Sequence, residues 1–213
     1  IQKLEASIEE ATTPSLEAQK AYGLGRAAIN RGDLPSASSF LKRAIELDPN
    51  FALAYAALGV VSGNLSQSEL AEKYTRKAYE LRDKVSERER LYITAHYYDY
   101  VTGQIDENIK TYELWKQTYP RDFLPYANLS TGYSATAQFE KVIEVSSEAL
   151  RIDQTRVYSF ANLAGGYMAL NRFSDAKRVL EQALAQKLDW VGIYAGLYRL
   201  ALVQGDSAAA QQY

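Results

Sequence analysis

A period of 34 residues constrains this chain more than any other feature of its sequence. The stretch from Ala18 to Phe51, AQKAYGLGRAAINRGDLPSASSFLKRAIELDPNF, returns in altered form down to the last residue. Units start near residues 18, 52, 89, 123, 157 and 191, so the spacing is 34 except for one interval of 37 before the third. A fixed period of this length belongs to stacked helical arrays, in which a pair of helices cannot bury its apolar face without a neighbour. The expected fold is therefore all-α. An array grows by adding units, so 213 residues are no argument for a second domain.

The columns of the repeat separate bulk from smallness. The first helix of each unit carries an aromatic early, in Tyr55, Tyr92, Tyr126, Phe160 and Tyr194, with Ala21 in that column of the first unit. Three residues later stand Leu24, Leu58, Ala95, Leu129, Leu163 and Leu197, and that spacing puts both columns on one packing face. The second helix presents Ala37, Ala71 and Ala176, then Ala44, Ala78, Ala149 and Ala183. Small residues at regular intervals let two helix backbones approach, as an antiparallel hairpin of helices requires. By this reading Tyr55, Tyr126, Tyr133, Tyr167 and Tyr194 are core.

Turn and cap residues fall where the period demands them. Gly32, Gly103, Asn171 and Gly205 share a column between the two helices, a place suited to left-handed backbone. Ser66 with Glu69, and Ser86 with Glu89, have the spacing of capping boxes. Pro49 and Pro120 close second helices. Residues 1–17 read as a linker or a short capping helix, with Ile1, Leu4, Ile8 and Ala11 at helical spacing and a helix start at Thr13 and Pro14.

These columns resemble the tetratricopeptide repeat, whose pattern runs aromatic, Leu-Gly, Tyr, then Ala, an aromatic or Leu, Ala and Pro. The resemblance covers residues 18–213 and implies a right-handed α-α superhelix, a solenoid whose concave groove holds extended peptides. Projected onto that groove, the first helices offer Tyr22, Arg26, Tyr97, Tyr100, Asn128, Tyr158, Asn162 and Arg199. Asn128 and Asn162 match the groove asparagine of the repeat consensus, whose amide brings a donor and an acceptor to a peptide backbone. Aromatics beside them supply contact area. The carboxylate clamp of chaperone-binding relatives needs Lys and Asn where this chain has Tyr22 and Arg26, which excludes it. The third unit departs from the pattern, with His96 for a small residue, Asn108 for the first Ala of its second helix and Trp115 for the next. Such bulk is expected to splay that hairpin or shift its neighbour.

A narrower resemblance lies in TTPSLEAQKAYGLGRAAINRGD, FLKRAIELDPNFALAYAALGV and VSERERLYITAHYYDYVTG. These stretches are similar to the C-terminal repeat region of acidobacterial-type serine/threonine protein kinases. The resemblance implies a bacterial signalling parent whose catalytic domain, membrane helix and spacer precede the repeats. It leaves the compartment open, either cytoplasmic or the extracytoplasmic part of a membrane-anchored protein. A chain that opens on Ile1 and stops within a helical pattern at Tyr213 fits a segment of something longer.

Little in the sequence speaks for chemistry. With one histidine and no cysteine, the constellations of a catalytic triad or a zinc site are not assembled, and no catalytic, metal or cofactor residue is expected. Gly23 to Ala28 spells a dinucleotide-like G-x-G-x-x-A, but inside a helix rather than after a strand, where no free N–H groups meet a phosphate. His96 reads as a packed residue. A net charge of -2 with interspersed signs offers no basic stripe for nucleic acid. No apolar run approaches the roughly 20 residues of a bilayer span. The expected function is a scaffold that binds a peptide or protein partner in its groove, the docking or sensing region of a signalling protein. The alternative is an assembly element that self-associates through the terminal unit, as a homodimer without a dedicated groove.

Overall fold

The structure, a computed structural model, describes residues 13–213. The first part of the expected capping helix lies outside them. Twelve α-helices follow one another among the described residues: α1 Leu16–Asn30, α2 Leu34–Leu47, α3 Ala52–Asn64, α4 Ser68–Glu80, α5 Glu87–Tyr97, α6 Ile105–Thr118, α7 Phe123–Ala135, α8 Phe139–Ile152, α9 Val157–Ala169, α10 Phe173–Ala185, α11 Val191–Val203 and α12 Ser207–Gln212. They form successive helix pairs, and the described residues contain no strand.

One backbone device recurs between the helices of every pair. Gly32, Ser66, Gly103, Ala137, Asn171 and Gly205 adopt left-handed φ values of 75°, 59°, 65°, 55°, 57° and 70°. Such a residue lets the chain reverse while its amide and the next one reach back to the last helical carbonyls, as Ser66 does to Gly63 and Gln67 to Ser62. Ser66 is therefore the reversing residue and not a cap: α4 starts after Gln67, with no side-chain cap bond. The second expected box is formed, with the Ser86 amide donating to Glu89 at 2.9 Å and the Glu89 amide to Ser86 Oγ at 3.4 Å. Thr13 is not the first cap either. Its hydroxyl donates to buried Asp48 at 2.6 Å, and Ser15 caps α1 instead. The odd interval of 37 contains a 3-10 turn at Arg82–Lys84.

The packing divides into two compact units, one ending at Thr111 and one beginning at Tyr112. In the first, the small columns do what their size allows. Ala37, Ala44, Ala71 and Ala78 are at most 2% exposed, and a Cβ added to Gly59 would stand 2.3 Å from Thr75 Oγ1. Leu58 is fully buried, whereas Leu24 in the same column is 52% exposed. Tyr55, also expected in the core, is only half-buried.

In the second unit Phe160, Leu163, Ala176, Val179, Leu180, Ala183, Ile193 and Leu197 form one apolar cluster. Trp115 is fully buried, and its indole N–H donates to Asp122, which also caps α7. Tyr126 and Tyr133 are buried as expected; their hydroxyls donate to the Pro120 carbonyl and to Glu113. Tyr167 and Tyr194 are half-buried. The third repeat's bulk also coincides with a change of winding. Helix α5 is 11 residues long and runs into a π turn, Tyr98–Thr102, before Gly103 reverses the chain.

Candidate functional site

The eight residues expected on the groove face do not share one environment. In the first unit Tyr22 is 7% exposed, with its ring 5.0 Å from that of Phe51, so it is core and offers a ligand almost nothing. The aromatic of the first repeat comes one residue later than its column, and the added side chain turns inward. Arg26 reaches the hydroxyl of Tyr92. That ring stands edge-on to His96 at 4.5 Å, and His96 stacks on Tyr100 at 5.8 Å.

Tyr100 closes the face between α3 and the π turn. A Cβ at Gly63 would come 2.5 Å from the Tyr100 ring, so the ring lies directly on the α3 backbone, which only glycine permits. Burial pushes the Tyr100 hydroxyl up to about 12, with the Asp99 carboxylate adding to the effect. Burial also holds His96 neutral, at about 4. Tyr97 points elsewhere. It stacks on Tyr79 of α4 at 3.8 Å and meets Arg76, while Arg82 covers the Tyr79 ring at 3.8 Å. Tyr97 and Tyr100 are thus separated, one against α4 and one on α3. A crevice of about 690 Å³ along α4, lined by Ile45, Tyr55, Tyr74, Lys73 and Lys77 among others, takes in none of the eight.

The second unit keeps its face open. Tyr158 and Asn162 are one turn apart on α9, and Tyr158 is 57% exposed. Asn162 donates to Ser130 Oγ at 2.6 Å, tying α9 to α7, and Asn128 donates to the Leu124 carbonyl at 2.9 Å. Both amide nitrogens are thereby fixed, and each side-chain oxygen remains as an acceptor. Arg199 is exposed on α11, with its Nε donating to Ala195 of its own helix at 3.2 Å.

Sequence reasoning missed the partner that holds Tyr158 in place. Trp190, the residue before α11, lies 4.6 Å from the Tyr158 ring in an edge-on arrangement. Its indole folds over Gly192, where any Cβ would fall 1.8 Å from the ring. A tryptophan two residues before a glycine at a helix start is the signal that could have revealed it.

No group of three or more His, Cys, Asp or Glu able to hold a metal occurs among the described residues. No described helix is long and apolar enough to cross a membrane.

Comparison with known proteins agrees with the geometry. Residues 21–51 and the overlapping residues 40–73 each match a family model described as tetratricopeptide repeat. Residues 21–73 thus carry tetratricopeptide repeats, and the fold of the chain is the all-helical solenoid that such repeats build. Among solved structures it is similar to PilW, described as a widely conserved type IV pilus biogenesis factor, at 16% identity over 93% of this chain and 91% of that one, with a TM-score of 0.68. A thermophilic TPR protein from Thermus thermophilus gives 16% identity, 86% and 97% coverage and a TM-score of 0.65. The pilF protein of Pseudomonas aeruginosa gives 21% identity, 92% and 88% coverage and a TM-score of 0.60. Identities at this level establish the fold alone. Proteins of this fold generally mediate protein–protein interaction and are not catalysts.

Proposed function

We propose that the chain is a protein-interaction scaffold that holds an extended peptide on the first helices of its second unit, α7, α9 and α11. The observation that carries this reading is Tyr158, 57% exposed yet fixed edge-on against Trp190. A rigid aromatic with an open face and a polar tip gives contact area at little entropic cost. The side-chain oxygens of Asn162 and Asn128 stand ready to accept peptide N–H groups. Panning a displayed random-peptide library on the immobilised chain tests the reading. Tyr158→Ala should lose the selected peptides while the melting temperature falls only modestly, since more than half of that residue is already open to solvent. Undiminished capture by the variant would sink the assignment.

A second reading has its own observation. On α11, Val191, Tyr198, Leu202 and Val203 are 75%, 44%, 54% and 64% exposed, an apolar stripe beside the buried one. Self-association through this terminal pair is the use it supports. Sedimentation that stays monomeric at high concentration would remove it. The stretches similar to acidobacterial-type kinase repeats support placing the scaffold in a larger signalling protein, a serine/threonine kinase, as its docking or sensing region. Recovery of the coding region in frame with a kinase domain, or without one, decides that placement.

A further inference from the structure

We propose that the crevice along α4 in the first unit binds a small aromatic monocarboxylate, its ring lying on Ile45, Tyr55 and Tyr74 and its carboxylate meeting Lys73. The site is independent of the peptide-binding reading, which concerns the second unit.

The floor is apolar and held in place. Ile45 and Tyr74 pack on the cluster that contains Leu41, Phe51 and Leu58, and Tyr55 packs on the one that contains Ala52, Ala56 and Ile93. The two tyrosine rings are half-buried and stand 6.4 Å apart at a tilt of 38°. In the second unit the column of Tyr55 is closed over: Phe160 is 1% exposed, and Tyr126 is buried with its hydroxyl donating to the Pro120 carbonyl. Tyr55 and Tyr74 instead line an open space of about 690 Å³, within the size range of small-molecule sites. Neither hydroxyl is bonded to another described residue, so both remain to donate to a ligand oxygen. An aromatic ring is the natural cover for two tilted aromatic rings, which favour offset and edge-on neighbours.

The rim has a place for one negative charge. Three cations line it, and two are engaged, Arg76 with Glu72 at 2.7 Å and Lys77 with Glu80 at 3.2 Å. Lys73 is exposed and forms no ion pair among the described residues. Glu69, the remaining carboxylate of the lining, stands one turn before it in the first turn of α4, where helix N–H groups favour a negative charge. A polyanion would therefore meet three carboxylates and a single free ammonium. A lone carboxylate on an apolar ring meets that ammonium, two phenol hydroxyls and an apolar floor, and a charge-assisted bond is about twice as strong as a neutral one.

NMR titration of the isotopically labelled full chain with 4-methylbenzoate, and in parallel with neutral 4-methylbenzamide, tests the site. The acid should give saturable shifts in the backbone amides of α4 and bind about tenfold tighter than the amide. Lys73→Gln should reduce the acid to the affinity of the amide and leave the amide unchanged. Replacing Tyr55 and Tyr74 together by Phe removes only the hydroxyls, and should weaken the acid several-fold at an unaltered melting temperature. Absence of saturable shifts in α4 overturns the site. Equal affinity for acid and amide, or acid binding indifferent to Lys73→Gln, overturns the carboxylate as its ligand.

Discussion

The two units share a repeat and differ in what they do with the same face. In the first, the chain's own aromatics fill it: Tyr100 lies on Gly63, His96 stacks on Tyr100, and Tyr92 joins them to Arg26. In the second, Asn162 ties α9 to α7, Asn128 bonds within its own helix, and Tyr158 and Arg199 project outward. A face that is packed contributes to stability, and a face that is rigid but open is suited to a ligand. The difference depends on a few residues, chiefly the glycine at position 63 and the aromatics that follow α5.

The comparison holds only if the supporting cores are alike. Leu58 and Leu163 occupy the same column, 0% and 6% exposed, and replacing either with Ala should cost about 2–5 kcal/mol in urea titrations. A much smaller loss at one of them would mean that the units differ in their cores and not only in their faces.

Acid should next separate the first unit's filled face from an ordinary surface. In the folded chain His96 takes up its proton at about 4, and in the unfolded chain near 6.5. Between those values the unfolded state binds more protons, so stability is full above 6.5 and drains as pH falls towards 4. The loss amounts to about 3 kcal/mol. Burial also raises the Asp99 pKa, which works in the opposite sense, since a folded state that binds its proton more readily gains as pH falls. Melting curves of wild type and His96→Leu across this range should differ in slope, because only the wild type carries the histidine's loss in acid. Parallel curves would show that His96 is accessible to protons and the face less closed than the geometry implies.

Much of the fold is readable from the period. Glycine or asparagine marks the left-handed column in four of its places, and the small columns give the helix contacts directly. What is not readable shares a physical cause. Projection at 3.6 residues per turn assumes regular winding, and the π turn at Tyr98–Thr102 breaks that assumption, so Tyr97 and Tyr100 part company. The column places Tyr22 outward, although Phe51 offers it a buried ring to pack on. The aromatic corner is hard to read because Trp190 precedes its helix and shares its column with Phe51 alone among aromatics, the intervening units carrying Arg88, Asp122 and Arg156 there.

A glycine pair tests the filled-against-open contrast directly. Gly63→Ala would drive a methyl group into the Tyr100 ring and should cost about 1–3 kcal/mol, the usual range for overpacking. Gly165 lies on α9 with nothing within 4 Å of its missing Cβ. There the same change should stabilise by up to about 1 kcal/mol, through helix propensity alone. Equal responses to the two substitutions would erase the distinction drawn between the faces.

The smallest expected effect concerns what both units have in common. Ser66 in the first and Ala137 in the second hold left-handed backbone with φ of 59° and 55°, where a Cβ crowds the following carbonyl. Glycine relieves that crowding but adds freedom to the unfolded chain, so the two effects oppose each other. Steric relief of roughly 1–2 kcal/mol exceeds an entropic cost of about 0.4–1 kcal/mol, and the net gain should be near ~0.5–1 kcal/mol at either site. Ala137→Gly is the cleaner of the two, because alanine has no side-chain hydrogen bond to lose. A gain at both positions in thermal melts would show that the repeat's turn is equally strained in each unit, and that the divergence between them is confined to the faces.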